Sequence, residues 1–342
     1  MDSVWFLVGF NVFILLMLAI DLGLFQREAH EVPVREALAW SITWIVLSLS
    51  FNLAIYWFRG SEKALEFLTG YLIEYALSVD NIFVFVMIFA YFGVPSRYQH
   101  RILFWGILGA LLLRGLMIGM GAILIQRFHW VTYIFGGFLV FTGIRMALQD
   151  EQAIEPESNP VIHLVRRFLR VTNVYHGQKF FVREELRGGR RTGLMATPLF
   201  VVLVLVETTD VIFALDSIPA IFAVTRDPMI VYTSNVFAIL GLRALYFLLA
   251  GVIRKFHYLQ LGLSAILVFV GVKMLIADIY NVPIGWSLLV VAAVLSLSVI
   301  ASLLFPKPEG EEPASADSAT HEASRETEER SEAGPRASGD SR

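Results

Sequence analysis

Apolar residues in this chain are gathered into nine blocks of about twenty, and this length constrains the fold more than any other feature. A backbone in lipid must satisfy its own hydrogen bonds, and spans of this length without β alternation do so as helices. The sequence therefore predicts an all-α polytopic membrane protein with about nine transmembrane helices. The predicted spans are roughly 4–26, 37–58, 66–92, 99–125, 129–148, 195–223, 230–252, 259–278 and 283–305.

The composition agrees with this class of protein. Apolar residues make up 56% of the chain and charged residues 17%, whereas soluble domains carry about a quarter charged residues. The first block lacks the basic segment and the cleavage site of a signal peptide, so we expect a retained helix. The sequence contains no cysteine, which excludes disulfides, thiolate metal ligands and dithiol redox chemistry by this chain alone.

Basic residues are concentrated in alternate loops, and this distribution predicts the orientation of the protein. The loops on the side of the N-terminus hold four Lys and Arg residues, whereas the opposite loops hold fourteen and the C-terminal tail five. Loops rich in Lys and Arg stay in the cytoplasm. The N-terminus is therefore predicted outside and the C-terminus in the cytoplasm, which agrees with an odd number of spans.

Two parts of the chain resemble each other in sequence. FLVFTGIRMALQD at 138–150 matches ILVFVGVKMLIAD at 266–278, and charged positions further upstream align as well. Consecutive copies with three helices each must be inverted, so these matches predict two inverted three-helix repeats, as in many transporters. Chance similarity among apolar runs is the alternative, and the aligned charges argue against it. The aligned pairs are Glu74 with Asp210, Asp80 with Asp216, Asn81 with Ser217, Arg114 with Arg243, Gly143 with Gly271, Arg145 with Lys273, and Asp150 with Asp278.

These features predict six segments. Within the predicted loop at 149–194, PVIHLVRRFLR is typical of a basic amphipathic helix on the inner leaflet, and QKFFVREE is typical of a short strand. The tail holds ten acidic and five basic residues among Ser, Ala and Pro, a composition typical of disorder, and we expect it to be dispensable. The segments are two transmembrane helices at 1–65, the first repeat at 66–148, a cytoplasmic loop at 149–194, the second repeat at 195–278, the last helix at 279–305, and a disordered acidic cytoplasmic tail at 306–342.

Five carboxylates lie well inside the predicted spans, at Glu74, Asp80, Glu207, Asp210 and Asp216. Each costs about 2.5–3.5 kcal/mol near the bilayer centre, so such residues mark functional sites by default. Two cations lie comparably deep, Arg114 and Arg243, and we expect them to act as counter-ions or gates. About three negative charges then remain for protonation, water or a bound cation to balance. Hydrogen bonding between helices is the structural alternative.

The candidate ligands all offer oxygen, which suits hard cations such as Mg²⁺, Mn²⁺ or Ca²⁺. Glu207 and Asp210 are three residues apart and share a helix face. Pro219 removes a backbone donor and is predicted to break the helix near Leu215, which would free a carbonyl beside Asp216. The predicted metal ligands are Glu74, Asp80, Asn81, Glu207, Asp210, Asp216 and Ser217.

At YLIEYALSVDNIFVF and VETTDVIFALDSIPAIFAVTRDP the sequence resembles the TerC family of integral membrane proteins, and within it the Alx branch. The resemblance runs from the first span through the ninth and leaves out the acidic tail. It implies a bacterial inner-membrane protein of the lysine-exporter-like superfamily, linked to manganese export, alkaline stress and tellurium resistance. The acids of the family's two motifs fall on Glu74, Asp80, Glu207, Asp210 and Asp216.

Together these observations predict a Mn²⁺ exporter that works by alternating access through a carboxylate site at the midplane. Proton exchange is compatible with it, because protonation of carboxylates would release metal. We expect no enzymatic activity, since no nucleophile–base set accompanies the acids, and no permanently bound cofactor. The expected partners are a divalent metal cation and the lipid bilayer, with no nucleic acid.

Two other functions stay open. The protein could be a scaffold for stress complexes that recruits protein partners through 149–194 and the tail. The resemblance to the Alx branch also suggests a redox modulator, which would need partner proteins because the chain has neither cysteine nor a cofactor motif.

Overall fold

A computed structural model describes residues 2–25, 33–148, 167, 169–172, 174–185, 192–250, 257–280 and 282–305. The described residues up to Leu304 form one compact unit. Two predictions fall mostly or wholly outside the described residues. These are the amphipathic helix PVIHLVRRFLR and the disordered tail at 306–342.

The described residues form nine helices and a two-stranded hairpin. Eight helices are long and apolar enough to cross a membrane, and the described apolar part of the first, Trp5–Ile20, is shorter. The predicted all-α polytopic fold is therefore confirmed. The helices are α1 Asp2–Phe25, α2 Val34–Arg59, α3 Ser61–Tyr91, α4 Ser96–Arg127, α5 Val131–Leu148, α6 Pro198–Phe222, α7 Pro228–Leu249, α8 His257–Leu275 and α9 Ile284–Leu304.

Proline and glycine explain where several of these helices begin and end. Pro198 and Pro228 open α6 and α7, where the missing amide hydrogen of proline costs nothing. Gly60 alone separates α2 from α3 and has a φ of 90°, a conformation that glycine adopts without strain. The helix bounds agree to within a few residues with the spans predicted from apolar length.

The helices differ in how much of their surface other helices cover. In α7, 89% of the spanning window is buried inside the protein, against 22% in both α2 and α9. The outer helices therefore present apolar side chains outward, as lipid requires, whereas α7 is enclosed by protein. α3 packs mainly against α7, and α4 packs mainly against α6.

Four of the five exposed tryptophans lie at one end of the helix bundle, whereas Trp105 lies in the first half of α4, toward the other end. Each of the four lies near the end of a helix, and an alternating up-and-down course of the helices places these ends on the same side. Tryptophan is enriched where a membrane meets water, because its ring is apolar and its N–H is polar. This end of the bundle therefore has the features of a membrane interface. The residues are Trp5, Trp57, Trp130 and Trp286.

α5 and α8 run antiparallel and pack closely against each other. A Cβ on Gly271 would lie 2.7 Å from the carbonyl oxygen of Gly136, and one on Gly143 would lie 2.9 Å from that of Ser264. Each glycine thus admits the backbone of the other helix. The contacts, with the α5 residue first, are Gly143 with Ser264 and Val268, and Gly136 and Val140 with Gly271.

The contacts that α5 makes with α8 are the same as those that α8 makes with α5, when residues are paired by the alignment of the sequence repeat. That register aligns Gly143 with Gly271, and each of the two glycines contacts the counterparts of the residues that contact the other. Two antiparallel helices related in this way have a local two-fold axis. The inverted repeats predicted from the sequence require such an axis at this crossing, and the relation between the other helices stays a prediction.

A short hairpin precedes α6. Strands β1 (Phe181–Glu185) and β2 (Thr192–Ala196) pair antiparallel, which confirms the strand predicted at QKFFVREE. The residues before it attach to the helices: the hydroxyl of Tyr175 donates to the carbonyl of Phe92 at 2.6 Å. Nη1 of Arg101 donates to Oε1 of Gln178 at 3.1 Å. The hairpin segment is thus tied to the end of α3 and the start of α4.

Candidate cation site

Arg114 lies at the centre of a buried charged cluster. Its Nε and Nη2 donate to the two carboxylate oxygens of Asp210, at 3.0 and 2.8 Å. Its Nη1 donates to Glu74. Arg114, Glu74 and Asp210 are 1%, 0% and 4% exposed. One guanidinium therefore joins α3, α4 and α6 through the two acids that the repeat alignment pairs with each other.

Such a cluster is stable only because its charges are paired. A buried carboxylate without a partner costs several kcal/mol, whereas a bidentate guanidinium contact is among the strongest hydrogen-bonded pairs. The structure places Arg114, predicted as a counter-ion or gate, in contact with two of the five predicted acids. Ser217, another predicted ligand, lies with its hydroxyl 3.5 Å from Nη1 of Arg114.

Glu207 lies beside this pair without joining it. It is one turn before Asp210 on α6, and its charge interacts with that of Asp210. Its carboxylate occupies the space that a Cβ on Gly109 of α4 would fill. Its Oε2 is buried and has no hydrogen-bond partner in the described part of the chain, as is also true of Oε2 of Glu74. We call Glu74, Arg114, Glu207 and Asp210 the Arg114 cluster.

Asp80 and Asp216 form a second group, which we call the aspartate pair. Their side chains are partly buried and close enough for their charges to interact. Asp216 also interacts with the hydroxyl of Thr142 and with the positive charge of Arg145, both on α5. The five predicted acids therefore divide between two neighbouring environments, one held by Arg114 and the other facing α5.

The seven predicted ligands do not form one coordination shell in the described conformation. Among the described residues, no group of three or more His, Cys, Asp and Glu side chains is arranged to hold a metal ion. Asn81 is buried next to Asp80 in the sequence of α3, and Ser217 next to Asp216 in α6. Arg114 occupies the space between Glu74 and Asp210, where it binds both carboxylates.

The helix break predicted at Pro219 is wrong. α6 runs without interruption to Phe222, and the amide of Ala223 donates to the carbonyl of Pro219 at 3.0 Å. Proline removes a single hydrogen bond, the one to Leu215, and lies in the last turn, where few residues follow. Pro219 and the three residues after it are buried, so packing holds this turn in place.

Arg243 lies in another environment. It is on α7, is 5% exposed, and its Nη1 lies 2.9 Å from Nε2 of His100 on α4. One turn further along α7, the hydroxyl of Tyr246 donates to Oε1 of Gln99 at 2.9 Å. The second arginine predicted as a counter-ion or gate therefore links α7 to the start of α4.

A polar layer also lies at the opposite end of α3. Glu66 is buried and accepts from Nζ of Lys63 at 2.7 Å and from the hydroxyl of Thr225 at 2.5 Å. Asp227, two residues after Thr225, pairs with Arg59 at 2.9 Å. This layer joins α2 and α3 to the turn between α6 and α7. The two polar layers thus lie at opposite ends of the bundle and have different chemistry.

Three residues near these groups are missing from the predicted site. Gly109 gave no signal, since a glycine in an apolar helix is most often a packing residue. Thr142 and Arg145 belong to the repeated motif FTGIR, and Arg145 aligns with Lys273, yet the repeat alone does not show that they face Asp216. A basic residue at the same place in both copies was the signal that could have identified Arg145.

Comparison with known proteins agrees with this architecture. A protein of Myxococcus xanthus named uncharacterized membrane protein STKORF319 is 53% identical over 296 residues, which is 86% of this chain and 91% of that protein. One from Escherichia coli K12, with the provisional name of membrane-bound redox modulator Alx, is 52% identical over 302 residues, 85% of this chain and 92% of its own. No solved structure matches the chain.

The family description "Integral membrane protein TerC family" matches residues 59–309, which include α3 to α9 and every residue of the Arg114 cluster and the aspartate pair. The match extends over more than half of the chain, and the relatives above are aligned over most of their length. The chain belongs to the TerC family of integral membrane proteins.

Proposed function

We propose that this protein transports a divalent metal cation across the membrane, with Mn²⁺ as the exported ion. The observation that carries the proposal is the charge of the Arg114 cluster. Two carboxylates contact the guanidinium of Arg114 there, and that of Glu207 lies beside them without an ion pair. With all three ionised, the excess of two negative charges equals the charge of one divalent cation. A buried excess of this size needs a mobile positive partner or protons.

The donor set supports a hard cation as the cargo. Carboxylate, hydroxyl and amide oxygens are the ligands of Mn²⁺, Mg²⁺ and Ca²⁺, and the sequence contains no thiolate. In the described conformation Arg114 holds Glu74 and Asp210, so an entering cation would have to share these carboxylates with the guanidinium. Arg114 would then stabilise the empty site and weaken its hold on the cargo, which favours release.

Alternating access supplies the transport step in this proposal. The two-fold contact of α5 with α8 supports inverted repeats, and so do the main partners of the other helices. Exchange of the repeats turns the pair α3–α7 into the pair α6–α4, and both are major helix contacts. Rocking of one repeat against the other would expose the carboxylates first to one side and then to the other. Proton exchange would balance the negative charge of the carboxylates after the cation has left.

We place the protein in the bacterial inner membrane with the N-terminus outside and the C-terminus in the cytoplasm. The excess of Lys and Arg in one set of loops supports this orientation. The bacterial sources of the relatives support the membrane assignment. In this orientation the end with the exposed tryptophans is the outer interface, and the β1–β2 hairpin is cytoplasmic.

A second candidate follows from the name of the E. coli relative, which describes a membrane-bound redox modulator. This chain has no cysteine, so a redox role would need partner proteins, recruited as by a scaffold through 149–194 or the tail. Such a role leaves the buried carboxylates without a function, whereas transport uses them.

Reconstitution in liposomes tests the transport proposal. Wild-type protein should carry Mn²⁺ faster than Mg²⁺ or Ca²⁺ under a pH gradient, and the flux should be lost in Asp80→Asn and in Asp216→Asn. Asp278→Asn is the matched control, because Asp278 is about half exposed beyond the end of α8. If both site variants carried Mn²⁺ at the wild-type rate, the assigned residues would be wrong. If wild-type protein carried no Mn²⁺, the transport proposal would be wrong.

A further inference from the structure

Gly109 in α4 differs from the other glycines of the same helix in what fills the space beside it. A Cβ at Gly109 would overlap both oxygens and the Cδ of Glu207. A Cβ at Gly119 would meet nothing within 4 Å, one at Gly115 would be in ordinary contact with Tyr232, and one at Gly106 would lie 3.2 Å from Val206. Only at Gly109, among the glycines of α4, does a charged group take the place of the missing side chain.

We call the space beside Gly109 the notch. It is filled by the carboxylate of Glu207, the one acid of the cluster that Arg114 does not bind. Arg114 binds both oxygens of Asp210 and one oxygen of Glu74, while Glu207 makes no ion pair within the described residues. Oε2 of Glu207 is buried without a hydrogen-bond partner. Since a buried polar atom is normally bonded, an orphaned carboxylate oxygen beside a charged cluster indicates a position that a ligand completes.

We infer that Gly109 is a positioning residue of the cation site, whose missing side chain lets Glu207 lie against α4 and keeps its carboxylate open to cargo. The identity of the cargo rests on the proposed function. The fit of Glu207 into the notch at Gly109 does not, because it is a matter of space between α4 and α6.

A methyl group at Gly109 must therefore displace Glu207. The side chain would move away from α4, toward Arg114 and Asp210, since its own helix holds its Cα in place. A displaced carboxylate loses its orientation for the cation, which weakens binding of the cargo more than it slows the conformational step. The effect should appear in the KM for Mn²⁺, and a shorter carboxylate should relieve it.

Transport kinetics in liposomes separate these effects. Gly109→Ala should raise the KM for Mn²⁺ about tenfold with a smaller change in maximal rate, while Gly119→Ala should match wild type. The double variant Gly109→Ala/Glu207→Asp should recover most of the lost affinity, because aspartate is shorter by one methylene. Equal KM values for Gly109→Ala and Gly119→Ala, or no recovery in the double variant, would overturn the inference and leave the proposed function standing.

Thermal unfolding in detergent tests the notch without any transport. Gly109→Ala should change Tm by a different amount in the Glu207→Asp background than in the wild-type background, so that the two changes are not additive. Additive changes in Tm would contradict a contact between the two residues, even if wild-type protein carried no Mn²⁺ at all. If Gly109→Ala yields no folded protein, recovery of folded protein in the double variant supports the inference, and failure to recover it refutes it.

Discussion

Arg114 is the residue on which the buried charges depend most directly. It donates three hydrogen bonds to Glu74 and Asp210, and all three side chains are buried. Removal of one partner from a buried ion pair is destabilising by about 3–5 kcal/mol, because an uncompensated charge is left behind. Arg114→Gln should therefore lower the free energy of unfolding by about that amount, measured by thermal unfolding in detergent.

Two further variants make this prediction specific. Arg127→Gln removes an exposed arginine from the end of the same helix and should leave Tm nearly unchanged. Arg114→Gln leaves the carboxylates of Glu74 and Asp210 without their partner. Arg114→Gln/Asp210→Asn removes one of these two charges and should recover part of the lost stability. Equal Tm values for the two single variants would show that Arg114 does not hold the cluster together.

At this scale the sequence predicts the kinds of residue better than their pairing. Five carboxylates and two arginines inside apolar spans identify themselves by their cost in lipid. Their partners depend on the tilt and rotation of each helix, which long-range packing decides. Arg114 therefore contacts acids from both repeats, while Arg243, its counterpart in the alignment, contacts His100.

Among the elements, the α5–α8 crossing should be sensitive to the smallest added side chain. A Cβ on Gly271 would lie 2.7 Å from the carbonyl oxygen of Gly136 and 2.9 Å from the amide nitrogen of Val140. Backbone atoms cannot move aside alone, so the helices must separate. Gly271→Ala should lower the free energy of unfolding by about 1–3 kcal/mol, measured by thermal unfolding in detergent.

Gly137→Ala is the matched control for this crossing. Gly137 lies on α5 next to Gly136, and a Cβ there would meet nothing within 4 Å. Its Tm should equal or exceed that of wild type, because alanine favours a helix more than glycine does. A similar loss of stability in both variants would contradict close packing as the cause.

The hairpin segment should show a pH-dependent attachment to the helices. Burial raises the pKa of Tyr175, whose hydroxyl donates to the carbonyl of Phe92. The protonated form is thus favoured in the folded state. The stabilisation is complete below the unfolded pKa of about 10, and decreases as pH rises through the higher folded pKa.

Hydrogen exchange of the β1–β2 amides measures this attachment. At pH 8, Tyr175→Phe should exchange faster than wild type by the equivalent of about 1 kcal/mol, and the difference should shrink above pH 10. Tyr280→Phe, at an exposed position beyond α8, should behave as wild type. A difference that stays constant across this pH range would argue against the hydrogen bond of Tyr175.

The elements were predictable where local signals decide them, and not where packing does. Apolar length predicted the helices to within a few residues. The same local reasoning failed at Pro219, because burial of the last turn of α6 outweighs the loss of one hydrogen bond. The strand at QKFFVREE was predicted, whereas its partner strand Thr192–Ala196 was not.

For the whole molecule, removal of the C-terminal tail distinguishes a transporter from a scaffold. The family match ends at residue 309, and the last described helix ends at Leu304. A chain truncated after residue 305 should keep the Tm of the full chain and its rate of Mn²⁺ transport in liposomes. Loss of a stress phenotype in cells with transport intact would instead support recruitment of partners through the tail.

The local two-fold axis between α5 and α8 has a consequence for the direction of the proposed transport. Gly143 and Gly271 make the same kind of contact across the crossing, so these contacts alone would favour neither the inward-open nor the outward-open state. A preference would then come from parts that are unlike. These include the side chains that differ between α5 and α8 and the two ends of the bundle, where Glu66 binds Lys63 and Thr225 at one end and Arg243 binds His100 at the other.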